Sequence, residues 1–163
     1  MTIPETGGYV LGSTEGEGYW FLGAHLMLKV TGAQSAGGLT VVEARQPRGH
    51  GSALHVHTHD DEVFYVLEGE MKLQVGDDVH RLTQGMLGFG PRGVQHNFIV
   101  TSEQARLLVM TTPSGFENLV RAAGEPASEV RIPESMAAPD RAVFLSQNAE
   151  RGIEIVGPPM TLD

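Results

Sequence analysis

The sequence predicts an all-β domain with a short helical extension at its C-terminal end. Three observations carry that prediction. Met71, Leu73 and Val75 alternate with Glu70, Lys72 and Gln74, the period-2 pattern of a strand with one buried face. Turn signals recur at the close spacing of a β-sandwich or barrel. The 163 residues include 21 Gly and 9 Pro, which favours frequent turns over long helices.

Strands are expected at residues 20–30, 39–44, 63–67, 70–75, 79–82, 86–89, 95–100 and 107–110. The turn pairs Glu68-Gly69 and Gly76-Asp77 make 63–82 a run of consecutive hairpins. The uninterrupted apolar runs 63–67 and 107–110 read as strands covered on both faces. After Thr112 the period changes. Ser114 with Glu117 three residues on fits a capping box, and Phe116, Leu119, Val120 and Ala123 follow at helical spacing before Gly124. A second helix is expected over 139–151, ending at Gly152, and a short strand over 153–156, with 125–138 as connector. Both helices are expected to cover the barrel end or an edge strand. The whole is read as one domain, 1–163, with a barrel core over 18–112 and helices and tail over 113–163. A chain of this length buries roughly 70% of its unfolded surface, so its core needs no disulfide or metal merely to fold.

Composition removes several functions. With no cysteine there is no disulfide framework, cysteine-ligated zinc or iron–sulfur site, or thiol nucleophile. Eleven Lys and Arg against 20 Asp and Glu give a net charge of −9, which opposes a nucleic-acid backbone or an anionic membrane as the main partner. No apolar run approaches the ~20 residues of a membrane span, and the start MTIPETGGYV lacks the basic and apolar regions of a leader. The expected location is the cytoplasm.

The chemistry-bearing residues gather between His50 and His96, a span that includes six of the seven histidines. On an extended strand, residues two apart share a face, so His55 and His57 can aim their rings at one point. Glu62 shares a face with Phe64 and Val66 and should look into an apolar interior, where a nearby cation would remove the cost of its charge. His96 follows the Pro91-Arg92-Gly93 turn. Imidazoles with one carboxylate suit one divalent transition metal ion: Fe, Ni, Co, Mn, Cu or Zn. The candidate ligands are therefore His55, His57, Glu62 and His96. His59 reads as a turn or pocket-rim residue. His25, His50 and His80 have no partner constellation and are expected to be solvated. Asp60 and Asp61 read as turn residues, with a further possible role in orienting a ligand histidine. Phe64, Phe89 and Phe98 are candidate pocket walls, or simply core.

These segments resemble the cupin motifs. Gly49, His55, His57, Glu62 and Gly69 match G-x5-H-x-H-x4-E-x6-G, and Gly85, Pro91, Gly93 and His96 match G-x5-P-x-G-x2-H. The asparagine that closes the second pattern is replaced by Val100, a departure that bears on local strand geometry rather than on a ligand. The resemblance implies a small jelly roll, the cupin double-stranded β-helix. Residues 57–69, 112–117, 152–159 and the segment Trp20-Phe21-Leu22-Gly23 further resemble single-domain bacterial cupins of the quercetin 2,3-dioxygenase type. That resemblance implies O2-dependent ring cleavage of a flavonol or similar enol-bearing aromatic, with Glu62 both ligand and general base. A metal-bound carboxylate is a weak base, so that role calls for an apolar wall that raises its pKa. Two other readings remain open: a metal-dependent isomerase, cyclase or epimerase that uses no O2, and a non-catalytic small-molecule binding module. Edge strands and apolar runs such as 63–67 predict a homodimer.

Overall fold

The computed structural model describes residues 7–163; residues 1–6, part of the stretch read for a leader, lie outside them. Seven strands form the larger sheet: β1 (Glu17–Phe21), β2 (Ala24–Val30), β3 (Thr40–Pro47), β5 (Asp61–Glu68), β8 (Leu87–Gly90), β10 (Gln104–Thr112) and β11 (Glu125–Pro126). Five form the smaller: β4 (Ala53–His57), β6 (Glu70–Val75), β7 (Asp78–Thr83), β9 (His96–Val100) and β12 (Ile153–Pro159). The spatial orders are β11-β1-β2-β3-β10-β5-β8 and β12-β4-β9-β6-β7, with antiparallel pairing throughout. Three helices, α1 (Gly32–Ser35), α2 (Phe116–Ala123) and α3 (Arg141–Glu150), complete the described chain.

The sheets face each other across one apolar core. Val42, Ala44, Phe64, Val66 and Leu107 enter it from the larger sheet, and Met71, Leu73 and Val100 from the smaller. Each large side chain removed from water here contributes about 1.5–3 kcal/mol. The period-2 pattern of 70–75 is realised as β6, with Met71 and Leu73 buried and their neighbours less so. The motif glycines take left-handed turns, Gly69 at φ 81° and Gly93 at φ 79°. β9 runs unbroken through Val100, which is buried where the motif has asparagine.

Several expectations are corrected. The strand expected over 20–30 breaks into β1 and β2 at Leu22-Gly23, where φ values of 51° and 84° make a two-residue hairpin turn. β5 and β10 are not covered on both faces: Phe64 and Val66 are buried, while Val63, Tyr65 and Leu67 are only half-buried. Ser114 does not cap α2. Gly115 occupies that position, and the buried Glu117 carboxylate accepts from Gly32 N at 2.7 Å, from Gly115 N at 2.9 Å and from the Thr40 hydroxyl. Three donors from separate segments satisfy a buried carboxylate better than a local box would. His25 is 1% exposed rather than solvated, because it lies on β2 between paired strands, and burial holds its pKa below the usual histidine value. The terminal strand is longer than four residues: β12 runs over seven and pairs with β4 at five of them, with register shifts after Ile155 and Gly157.

Candidate metal centre

The four candidate ligands come from three strands on two sheets. His55 and His57 lie two apart on β4, His96 opens β9 directly across from His55, and Glu62 reaches over from β5 in the larger sheet. The Pro91–Gly93 turn is tied to the same place, since Gly93 N donates to the His57 carbonyl at 2.8 Å. All four side chains are buried, and one ligand atom from each lies within 4.8 Å of the others. His55 Nε2 is 3.0 Å from His57 Nε2, and Glu62 Oε2 is 3.0 Å from His96 Nε2 and 3.5 Å from His57 Nε2.

The donor set fits a cation on chemical grounds. His55 Nδ1 lies 2.7 Å from the Ala53 carbonyl and His96 Nδ1 3.1 Å from the Val94 carbonyl. A carbonyl only accepts, so both Nδ1 atoms carry the proton and, in the neutral rings, both Nε2 atoms present lone pairs. His57 Nδ1 lies 3.1 Å from Asp60 Oδ2, a carboxylate whose charge favours a proton on that nitrogen. Three lone pairs and a carboxylate oxygen therefore converge on one point, an arrangement that repels itself unless a proton or a metal ion occupies it.

Electrostatics correct one expectation. Burial, the largest single influence on Glu62, pushes its pKa up, but the His96 hydrogen bond and the charges of His57, His96 and His55 outweigh it and hold the carboxyl at about 2. Glu62 is thus anionic, as a ligand should be, and not the strengthened base expected from its apolar wall. Burial lowers the His55 pKa. It pulls His96 the same way, but the Glu62 hydrogen bond and charge outweigh it and raise the His96 pKa.

A cavity of about 230 Å³ opens beside the ligands. Phe64 and Phe98 line it as expected, whereas Phe89 is 50% exposed on β8 and does not. His50, expected in solvent, also borders the cavity; burial lowers its pKa to about 4, so its ring is neutral near pH 7. His59 is exposed at the bend after β4 and stands outside the cluster, and His80 is exposed as expected. Asp61 pairs with Arg92 through two oxygens, which lowers its pKa to about 2.

The C-terminal segment does more than cover the barrel. Phe116 from α2 and Phe144 and Asn148 from α3 form cavity wall, as does Arg151 just beyond α3. The Arg151 guanidinium lies 5.3 Å over the Phe116 ring and also binds Asp60 Oδ2, the oxygen that faces His57. Asp60 is therefore 4% exposed rather than a solvated turn residue. Gly152 permits this turn: its φ is 66°, and a Cβ there would meet the Thr58 hydroxyl at 2.1 Å. The sequence reading missed Arg151, Phe144, Asn148 and Gln46. Only Gln46 carried a signal, as a polar residue at the inward parity of Val42 and Ala44.

The profile of the cupin domain matches residues 41–111, the stretch that holds all four candidate ligands. Over that stretch the chain is similar to the cupin family. The chain is 29% identical over 120 residues to quercetin 2,3-dioxygenase from Bacillus subtilis, a match covering 72% of the present chain and 35% of the dioxygenase. The chain thus spans about a third of that relative's length. Among solved structures, an RmlC-like cupin from Shewanella frigidimarina superposes with a TM-score of 0.55 at 23% identity, covering 68% of this chain and 94% of that one. A sugar phosphate isomerase of the cupin superfamily from Silicibacter pomeroyi superposes at 0.50 with 25% identity, covering 63% and 73%. Among the described residues no helix is long and apolar enough to cross a membrane.

Proposed function

We propose that this protein is a metal-dependent dioxygenase of the quercetinase type, cleaving a flavonol or similar enol-bearing aromatic with O2. The observation that carries the reading is the convergence of His55, His57, Glu62 and His96 on one point beside a cavity walled by phenylalanines. A divalent ion held there supplies Lewis acidity that lowers the pKa of an enol hydroxyl. The phenylalanine walls hold a flat aromatic and exclude water. Glu62 accepts the hydroxyl proton on its carboxylate, and its low intrinsic basicity is tolerable because that hydroxyl is itself acidified. Similarity to the Bacillus subtilis enzyme supports this reading. A second reading, an isomerase of a small metabolite without O2, is supported by the Silicibacter pomeroyi structure.

Oxygen-electrode traces with metal-loaded protein and a panel of flavonols separate the two. Oxygen consumed in step with flavonol loss is the expected result. Metal-loaded protein that consumes no O2 with any flavonol but isomerises an enolisable metabolite would replace this reading with the second.

A further inference from the structure

We infer that Gln46 and Ser52 form a hydroxyl-reading subsite in the cavity wall, so that the ligand is a neutral aromatic carrying hydroxyls beyond the one presented to the histidine–glutamate cluster. This rests on the flavonol reading above and sharpens it. Gln46 is 4% exposed and stands on the inward face of β3 after Val42 and Ala44. Its Oε1 is fully buried and has no hydrogen-bond partner among the described residues, and the same holds for Ser52 Oγ. Both residues border the cavity.

Neither is needed by the backbone around it. Gln46 sits in regular pairing with Ala105, and the loop before β4 is already fixed by Ser52 N to the Phe98 carbonyl at 3.2 Å and by the bridge from Gly51 to Ile99. Buried polar groups are ordinarily paired, so two orphans on one cavity point to a partner the ligand brings. An amide and a hydroxyl together offer donor and acceptor, which is what a phenolic hydroxyl needs. Away from the histidine–glutamate cluster the charge pattern does not favour an anion: Arg151 is the cavity's cationic side chain among the described residues, and its guanidinium is committed to Asp60. A phosphate carried at this end of the cavity would find no free cationic side chain, whereas a hydroxylated ring finds two matched groups.

Anaerobic calorimetry on the metal-loaded protein tests this with two probes, quercetin and the parent flavonol that keeps only the enol hydroxyl. Wild-type protein should prefer quercetin by about tenfold or more, the worth of one buried hydrogen bond. Gln46→Met and Ser52→Ala should each erode that preference while leaving the parent flavonol's affinity within about threefold. The parent ligand and circular dichroism report whether each variant remains folded, and Ser52→Ala is the milder change. An equal affinity for both probes in wild type, or an unchanged preference in both variants, overturns the subsite even if O2 is consumed. A preference that collapses as expected with no O2 uptake leaves the subsite standing and overturns the dioxygenase reading. Binding of neither probe overturns both.

Discussion

A carboxylate enclosed by three imidazoles faces opposed influences. The low-dielectric wall disfavours its charge and the rings favour it, and at Glu62 the rings win. Glu62→Gln keeps the volume and an oxygen donor but removes the charge and the basic lone pair. In metal-replete protein, turnover at neutral pH should fall by roughly 10²–10⁴-fold if Glu62 accepts the proton. The deficit should shrink as pH approaches the pKa of the substrate hydroxyl, which then ionises unaided. Wild-type turnover in the variant would leave Glu62 as ligand only. Acid should expel the metal, and the sign follows from the rings: His96, with its raised pKa, takes up a proton before His55, whose pKa is lowered, so occupancy falls as pH drops through the histidine range. These residues were legible in the sequence because a period of two and a fixed motif spacing place them on shared strand faces. His25 was not, because nothing in its local spacing tells a buried central strand from an edge.

At the scale of elements, β4 is held from both sides. β9 presents His96 to one flank, while β12 pairs Ile155 with His55 and Ile153 with His57 on the other. Arg151, at the turn between α3 and β12, then closes on Asp60 behind His57. The C-terminal extension is therefore expected to steady a ligand rather than merely to cap the barrel. Arg151→Met keeps an unbranched aliphatic side chain and removes the charge. Metal affinity measured by chelator competition should weaken about 10–100-fold, the range for lost outer-shell partners, with the β-sheet circular dichroism retained. Unchanged affinity would reduce Arg151 to packing. This contact spans 91 positions, and no periodicity encodes such a pair. A strand such as β6 was readable from alternation alone, whereas Ser114 misled because a local capping box competes with long-range partners that sequence spacing does not reveal.

At the scale of the molecule, the β5–β8 end of the larger sheet's outer face is apolar. Phe89 lies across from Val63 and Leu87 across from Tyr65, with Leu87 58% and Phe89 50% exposed. β8 is also the open edge of that sheet, which makes this face the proposed contact with a second copy. Sedimentation at micromolar concentration should give twice the 17.5 kDa chain mass, and Phe89→Glu should return the single-chain mass. A wild-type monomer would remove the homodimer.

The most direct test of the metal centre is stoichiometry, read by titrating Co(II) into the metal-free protein and following its visible absorption. One ion per chain is expected in wild type. His55→Ala, His57→Ala and His96→Ala should each lose binding sharply while keeping their fold, because the core between the sheets stands without the ion. Wild-type protein that takes up no ion, or full occupancy in all three folded variants, would contradict the assignment of His55, His57, Glu62 and His96 as a metal centre.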